Sequence, residues 1–366
     1  MSNPYVGILV NDALFAGIPL GNTKYEAIGF YGDAGKFYGV TPCYFRIQDV
    51  RMKTMKVHAY VQEDGRYKRK WSKLPKVVHN RAIYLDPESA KTLGEWSKRG
   101  IQIFNQWNRY SKLRIHELLM KNEAIRPHLP CTFPATIPNV KAMMASYDSL
   151  IIKPTNSSIG RGVMKLERRS GKWNLQYPVN MKLSNRKWRT LIFRQRLPLI
   201  LRRRLRTGSY MVQQCLPLAT VAGRPFDMRI SVQRGANGEW GVTGIVAKVA
   251  SSKQFLTNVA QGGRLMTLTD ILNTEYPHLN QDHVCREITD FSLLVAQQLS
   301  LDLPNLADIG LDIAITKDGY PLFIECNSKD QRYSFREADM QACWQSTYYN
   351  PIAYAKFILD GGTPPN

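Results

Sequence analysis

The chain has no run of about 18 apolar residues, no CxxC pair, no internal repeat and no GxGxxG between a strand and a helix. The first absence leaves no expected membrane-spanning helix. Six cysteines lie far apart, at 43, 131, 215, 285, 326 and 343. That pattern fits reduced thiols in a cytoplasmic protein, not a disulfide framework. Without the glycine fingerprint a dinucleotide site of the Rossmann kind lacks support. Met1 to Val10 shows neither the basic start nor the long apolar stretch of a signal peptide. The six histidines flank no obvious Ser or Cys nucleophile, and none stands at zinc spacing. Hydrolysis by a triad is therefore not expected.

What is present is charge. The 366 residues include 50 Lys and Arg against 29 Asp and Glu, a formal net charge of +21. Such an excess suggests an anionic partner: nucleotide phosphates, a polyanion, nucleic acid or a membrane surface. Apolar residues make up 44%, enough for folded cores, and the length suggests two or three domains. Charge also divides the chain. Residues 1–105 carry +7, residues 106–208 carry +18, and residues 209–366 carry −4. Within the middle third, Lys182 to Arg206 holds ten Lys or Arg and no acid. A uniform coat for nucleic acid does not fit an acidic last third.

The first third reads as a small α/β unit. Strands are expected at Tyr5–Val10, Thr41–Ile47 and Lys76–Tyr84, with a helix at Tyr25–Tyr38. A second helix starts at Asp86-Pro87, an N-cap followed by proline at the first helical position, and Gly100 closes it. The middle third opens with a helix around Trp107–Asn122. A proline-rich surface connection through Pro127, Pro130, Pro134 and Pro138 follows. Later strands are expected near Met211–Leu216, Met228–Gln233 and Gly241–Val249. Apolar residues at Ile288, Phe291, Val295 and Leu299 share one face of a helix.

Four constellations could carry chemistry. Gly310–Asn327 alternates and turns at Asp318-Gly319, a strong hairpin signal. With those two residues as the loop, Asp312 faces Glu325 directly, and Asn327 shares their face. Like charges so placed repel. With an amide oxygen they form a hard-oxygen set suited to Mg²⁺, although a hairpin with one wet face would look the same. Leu150–Lys153 leads into a loop, Pro154 to Gly162, and returns at Val163–Leu166. Small residues there let backbone amides approach phosphate; a plain β-turn is the alternative. Asp227 and Arg229 share a strand face opposite Phe226, Met228 and Ile230, as an edge ion pair or as a charge near a developing anion. Lys248 to Arg264 reads as a polar loop with Asn258, Gly262 and Gly263.

In this order the four pieces resemble the ATP-grasp superfamily, and more narrowly its YheC/YheD type, named for endospore coat association. The resemblance covers roughly residues 106–355. It implies an α+β fold in which two subdomains, 106–208 and 209–366, clamp ATP, preceded by a small α/β pre-ATP-grasp domain at 1–105. It also implies an ATP-dependent carboxylate–amine ligase acting through an acyl phosphate. Carried onto matching positions, Lys112 and Lys153 would contact ATP phosphates, with Ser157, Ser158, Gly160 and Gly162 as the lid. Gln213, Gln214 and Leu216 would belong to the hinge that holds adenine, where many members have an acidic residue. Asp312, Glu325 and Asn327 would hold Mg²⁺. Arg229, Lys248 and Asn258 would face the transferring phosphate. Several ligases place an arginine two residues before the first metal aspartate. Here that position is Gly310, so Arg229 would have to supply the charge.

The expected partners are ATP, a peptide-like or anionic carboxylate and an amine nucleophile. The expected location is cytoplasmic, with spore association implied by the resemblance. A silent or ATP-binding coat scaffold is the second reading, and a nucleic-acid binder, supported by charge alone, the third. The segment Lys182–Arg206 is either a solvated insertion or a docking surface for an anionic partner. Leu197, Leu199, Ile200 and Leu201 among its arginines also allow weak membrane association.

Overall fold

The computed structural model describes residues 3–157, 160–179, 187–251, 257, 262–303 and 305–364. Three sheets organise them. The first contains β1 (Tyr5–Leu9), β2 (Thr41–Phe45), β3 (Val50–Arg51), β4 (Lys56–Glu63), β5 (Arg66–Lys73), β6 (Val77–Asn80) and β7 (Gln102–Phe104). Its central strands β2, β1, β6 and β7 are parallel, joined through α1 (Asp12–Gly17), α2 (Ile28–Tyr38) and α3 (Pro87–Lys98). Asp86 caps α3 by accepting from the Ser89 amide, and Gly100 follows at φ +88°. The β4–β5 hairpin had no counterpart in the sequence reading. Its strand β5 is mostly charged and hides the alternation expected of a half-buried strand.

The second sheet runs β12–β11–β10–β9–β13–β8. Its strands are β8 (Thr132–Pro134), β9 (Ser149–Pro154), β10 (Met164–Arg169), β11 (Lys172–Pro178), β12 (Trp188–Phe193) and β13 (Tyr210–Gln214). α5 (Ile137–Ser146) and α6 (Leu199–Leu205) pack on it around Val140, Leu150, Leu166 and Leu201. The proline-rich connection is thus more ordered than expected: Pro134 ends an edge strand and Pro138 sits in the first turn of α5. Both are positions where a missing N–H costs nothing.

The third sheet runs β17–β16–β15–β18–β19, with β14 (Thr220–Val221) beside β15. Its long strands are β15 (Arg224–Arg234), β16 (Trp240–Val249), β18 (Asp308–Ile315) and β19 (Pro321–Asn327); β17 is Arg264–Met266. Phe226, Met228, Ile230 and Val232 on β15 alternate into one core with α7 (Leu268–Glu275) and the long α8 (Gln281–Asp302). α4 (Lys112–Leu119) joins that same core through Ile115, Leu118 and Leu119. The helix expected over Trp107–Asn122 is shorter because Ser111 caps it, accepting from the Arg114 amide. Likewise α2 begins at Ile28, not Tyr25. After the short α9 (Tyr333–Glu337), the last helix α10 (Gln341–Leu359) returns to the first sheet. Tyr348, Ile352 and Ala355 pack there with Val6, Ile8 and Tyr31.

The hairpin β18–β19 differs from expectation in a way that preserves the key pairing. Thr316 and Tyr320 close the turn, so the loop is three residues, with Gly319 at φ +83°. That is a favoured three-residue hairpin with glycine in the left-handed position. Its register pairs Ile315 with Pro321 and Ile313 with Phe323. Continued unbroken, it would set Asp312 against Ile324. A bulge at Ile324 absorbs one residue, and Asp312 faces Glu325.

Candidate functional site

The non-core face of the third sheet is a grid of polar side chains. On β15 the residues alternating with the core positions are Asp227, Arg229, Ser231 and Gln233. β15 is an interior strand, flanked by β16 and β18, so its ion pairs are not edge pairs. Register sets Arg229 opposite Asp312, Ser231 opposite Gly310, and Gln233 opposite Asp308. Asp227 lies opposite Lys248 on β16, and Glu325 opposite Asp312 on β19.

Asp312 is the centre of this grid. Its Oδ1 accepts from Arg229 Nε at 2.9 Å and from Lys248 Nζ at 2.8 Å. Burial alone would raise its pKa, but Arg229 and Lys248 hold it well below the usual carboxylate range. Lys248 also lies 2.8 Å from Asp227 Oδ1, and Thr257 donates to the same carboxylate. Burial, aided by the charge of Asp312, raises the pKa of Asp227 against the pull of Lys248. Burial would lower the pKa of Lys248, yet Asp227 and Asp312 raise it, so it stays charged. Asn327 stands beside Asp312, its amide nitrogen 3.4 Å from Oδ2. Turned over, that amide would donate to Glu325 and accept from Arg229.

Lys112 and Lys153 both reach strand β19. Lys112 is the first residue of α4, and its amide bonds the Thr155 carbonyl at the mouth of the glycine loop. Its Nζ lies 2.6 Å from Glu325 Oε2. Lys153 projects from β9, buried, with Nζ 3.4 Å from the Ile324 carbonyl exposed by the bulge. Burial and the neighbouring Lys112 push its pKa down to about 8, against the pull of Glu325 and Asp312.

Between the second and third sheets lies a cavity of about 370 Å³. Lys153, Gln213 and Gln214 border it on one side, Lys248, Asp312 and Glu325 on the other. The strand–to–strand connection at Cys215 and Leu216 closes its back. Gln213 is buried and donates to Thr132 Oγ1 at 2.8 Å, which fixes its side chain toward β8. The glycine loop borders the cavity at Gly160, which has φ +61°, and Gly162 has φ +78°. Both values favour glycine. Ser157 Oγ donates to the Arg161 carbonyl at 3.0 Å within the same loop. Ser158 and Asn258 lie outside the described residues.

Lys112 Nζ thus bonds a candidate metal carboxylate, and its backbone amide bonds the chain just after β9. Lys248 lies on strand β16, within the expected strand Gly241–Val249, so the polar loop begins after it. Two contributors escaped the sequence reading. Lys165 on β10 borders the cavity. Asp330 is fully buried and accepts from Arg229 Nη1 at 3.2 Å. The signal for Asp330 was Gly310. A Cβ there would sit 2.3 Å from Asp330 Oδ1 and 3.2 Å from Arg229 Nη1. Arg229 thus reaches the space beside Gly310, and glycine in an interior strand marks that close approach.

The donor set fits a hard divalent cation. Two carboxylates and an amide oxygen converge on one face, leaving further positions for phosphate and water. Among the described residues no group of three or more His, Cys, Asp or Glu clusters as a self-sufficient metal site. Any cation held here would therefore share its shell with a ligand. No helix among the described residues is long and apolar enough to cross a membrane.

The chain resembles several known proteins. A family model for YheC/D-like ATP-grasp proteins matches residues 100–358. Endospore coat-associated protein YheD of Bacillus subtilis (strain 168) is 22% identical over 313 residues, covering 82% of this chain and 66% of that one. The chain therefore spans just under two thirds of that relative's length. Among solved structures, ATP-grasp ligase PsnB complexed with minimal precursor superposes with a TM-score of 0.53 at 15% identity, over 98% of this chain and 99% of that one. D-alanyl-alanine synthetase A from Vibrio cholerae O1 biovar eltor str. N16961 gives 0.51 at 12% identity, over 96% and 100%.

Proposed function

This chain belongs to the YheC/D-like ATP-grasp family, and from that membership we propose that it is an ATP-dependent ligase joining a carboxylate to an amine. The observation that carries the reading is that Lys153, Lys248, Asp312 and Glu325 line one cavity between two sheets, with Arg229 and Lys112 bonded to its carboxylates. Phosphoryl transfer needs positioning and charge neutralisation more than a side-chain nucleophile, and this cleft offers both without one.

In the proposed reaction a substrate carboxylate oxygen attacks the γ-phosphorus of ATP and ADP leaves. The amine nitrogen then attacks the acyl carbon, inorganic phosphate leaves, and the amine releases a proton. Lys112 and Lys153 would neutralise the triphosphate, while Arg229 and Lys248 would face the transferring group. Asp312, Glu325 and Asn327 would hold Mg²⁺, whose charge would offset that of the phosphates. The loop from Ser157 to Gly162 would cover the phosphates with backbone amides. Adenine would lie against the backbone of Gln213 to Leu216. We propose a peptide or peptide-like substrate, and domains at 1–105, 106–208 and 209–366. Spore association rests on the name of the relative.

The test is ADP release with Mg²⁺ across amino acids, peptides and polyacidic acceptors. Acceptor-dependent release, lost in Glu325→Gln and in Lys153→Ala, supports the ligase; turnover unchanged in both variants refutes it. One observation favours a silent, nucleotide-binding scaffold. Both candidate metal carboxylates already hold cationic side chains, Asp312 with Arg229 and Lys248, and Glu325 with Lys112. That scaffold would gain thermal stability from Mg²⁺–ATP yet release no ADP with any acceptor.

A further inference from the structure

Strand β12 is the outermost strand of the second sheet and, among the described residues, pairs with β11 alone. The ladder determines which way its backbone faces. The Val179 amide donates to the Lys187 carbonyl at 2.9 Å, and the register continues through Pro178 with Trp188 and Tyr177 with Arg189. Bonded and non-bonded pairs alternate in an antiparallel ladder. Arg189, Leu191 and Phe193 therefore bond to β11, while Thr190 and Ile192 turn their N–H and C=O groups outward. Pro178, which has no N–H, falls on a non-bonded position, as that phase requires.

The side chains around this edge do not discourage pairing by uniform charge, as natural edges commonly do. Ile192 is 65% exposed and Leu191 38%. Around them Lys187, Arg189, Arg194 and Arg196 are all exposed. No Asp or Glu occurs between Glu167 and Asp227, so β11, β12 and α6 offer these cations no anionic partner. Leu197, Leu201 and Leu205 are buried in the core of the second sheet and Ile200 packs against it, which leaves Leu199 as the exposed leucine of that run.

We infer that the outer edge of β12 at Thr190 to Ile192 docks an acidic peptide segment, added as an extended strand. The outward groups of Thr190 and Ile192 supply main-chain hydrogen bonds, the arginines meet carboxylates, and Ile192, on one face of the strand, receives alternate apolar side chains. Single-stranded nucleic acid is disfavoured because its binding relies on exposed rings for stacking. Trp188 and Phe193 are half-buried, and the open side chains are aliphatic. The inference goes beyond the ligase reading: the docked segment can be a substrate or a partner.

The experiment is fluorescence anisotropy on the full chain. The probes are a labelled peptide alternating glutamate and valine, one alternating glutamate and proline, and oligothymidylate of equal length. The expected result is saturable binding of the first peptide, weakened about tenfold or more by raised salt. Ile192→Pro removes one outward donor without touching the β11 ladder. It should weaken binding about tenfold with an unchanged circular dichroism melt. If that variant melts early, Arg189→Glu/Arg194→Glu/Arg196→Glu replaces it and should abolish binding. Equal binding of the glutamate–proline peptide, preference for oligothymidylate, or unchanged binding in the variants overturns the inference.

Discussion

Asp308 and Asp312 stand four residues apart on one face of β18, and their surroundings differ in a single respect. Both carboxylates are ringed by cations and held well below their usual pKa range despite burial. Asp308 is met by Arg332, Arg81 and His79, and by Gln233 at 2.9 Å. Those partners come from the first sheet, from β15 and from the segment before α9. Asn105 seals the same place, donating to the Asp308 and Ser328 carbonyls and accepting from the Asp308 amide. Asp312 likewise meets two permanent cations, Arg229 and Lys248, as Asp308 meets Arg81 and Arg332, but it opens onto the cavity. Partner number therefore does not separate a structural carboxylate from an exchangeable one. Cover does: the first sheet and α10 close one end of the polar face and leave the other free for a ligand.

Asp330 joins the two ends. Its carboxylate holds Arg229, and its carbonyl accepts from Arg81 Nη2 at 2.9 Å. Arg81 in turn pairs with Glu26 at 2.9 Å. A continuous set of contacts thus runs from the first sheet to the cleft.

The comparison predicts its own breakage. Asp308→Asn, leaving Arg81 and Arg332 buried with one anion fewer, should cost about 3–5 kcal/mol in denaturant unfolding. Asp312→Asn should instead lower acceptor-dependent ADP release by about a hundredfold or more. Its cost in stability should be smaller than that of Asp308→Asn. Equal stability losses would remove the distinction. Lys153→Met should act with opposite signs on two readouts. It removes a buried charge whose pKa is pushed down to about 8, so the nucleotide-free protein should gain on the order of 2 kcal/mol near pH 7. The melting shift caused by Mg²⁺–ATP should disappear.

Acid offers a further contrast. Burial pushes the His79 pKa down to about 4, against the pull of Asp308. The unfolded chain then binds more protons between pH 6.5 and 4, so stability falls as pH drops through that window. His79→Gln should flatten that slope. Gly310→Ala lies between the two aspartates and should cost about 1–3 kcal/mol, because the new methyl must displace Asp330. A stability unchanged by this substitution would show that the centre adapts freely.

Much of the candidate site was legible because hairpins are local. Asp318-Gly319 announced the turn and alternation assigned the faces. The Asp312–Glu325 pairing was reached on an assumption of a two-residue loop, whereas a three-residue loop and a bulge together restore it. The bulge was not legible, since Ile324 looks like any strand residue. The Lys182–Arg206 segment was legible as charge but not as structure. Its leucines at 197, 201 and 205 face a core formed with α5 and β9, distant in sequence.

By itself the sequence determined strands β1, β2, β6, β9, β10, β13, β15 and β16, the cap at Asp86, the hairpin and the order of motifs, because each depends on neighbours within a few residues. Tertiary structure alone decided that α4 joins the third sheet, that α10 returns to the first, and that Asp330 stands behind Arg229. It also decided which of two similar aspartates is sealed and which is open. Those outcomes depend on long-range packing, where burial sets the strength of a charge and no local pattern records what will cover it.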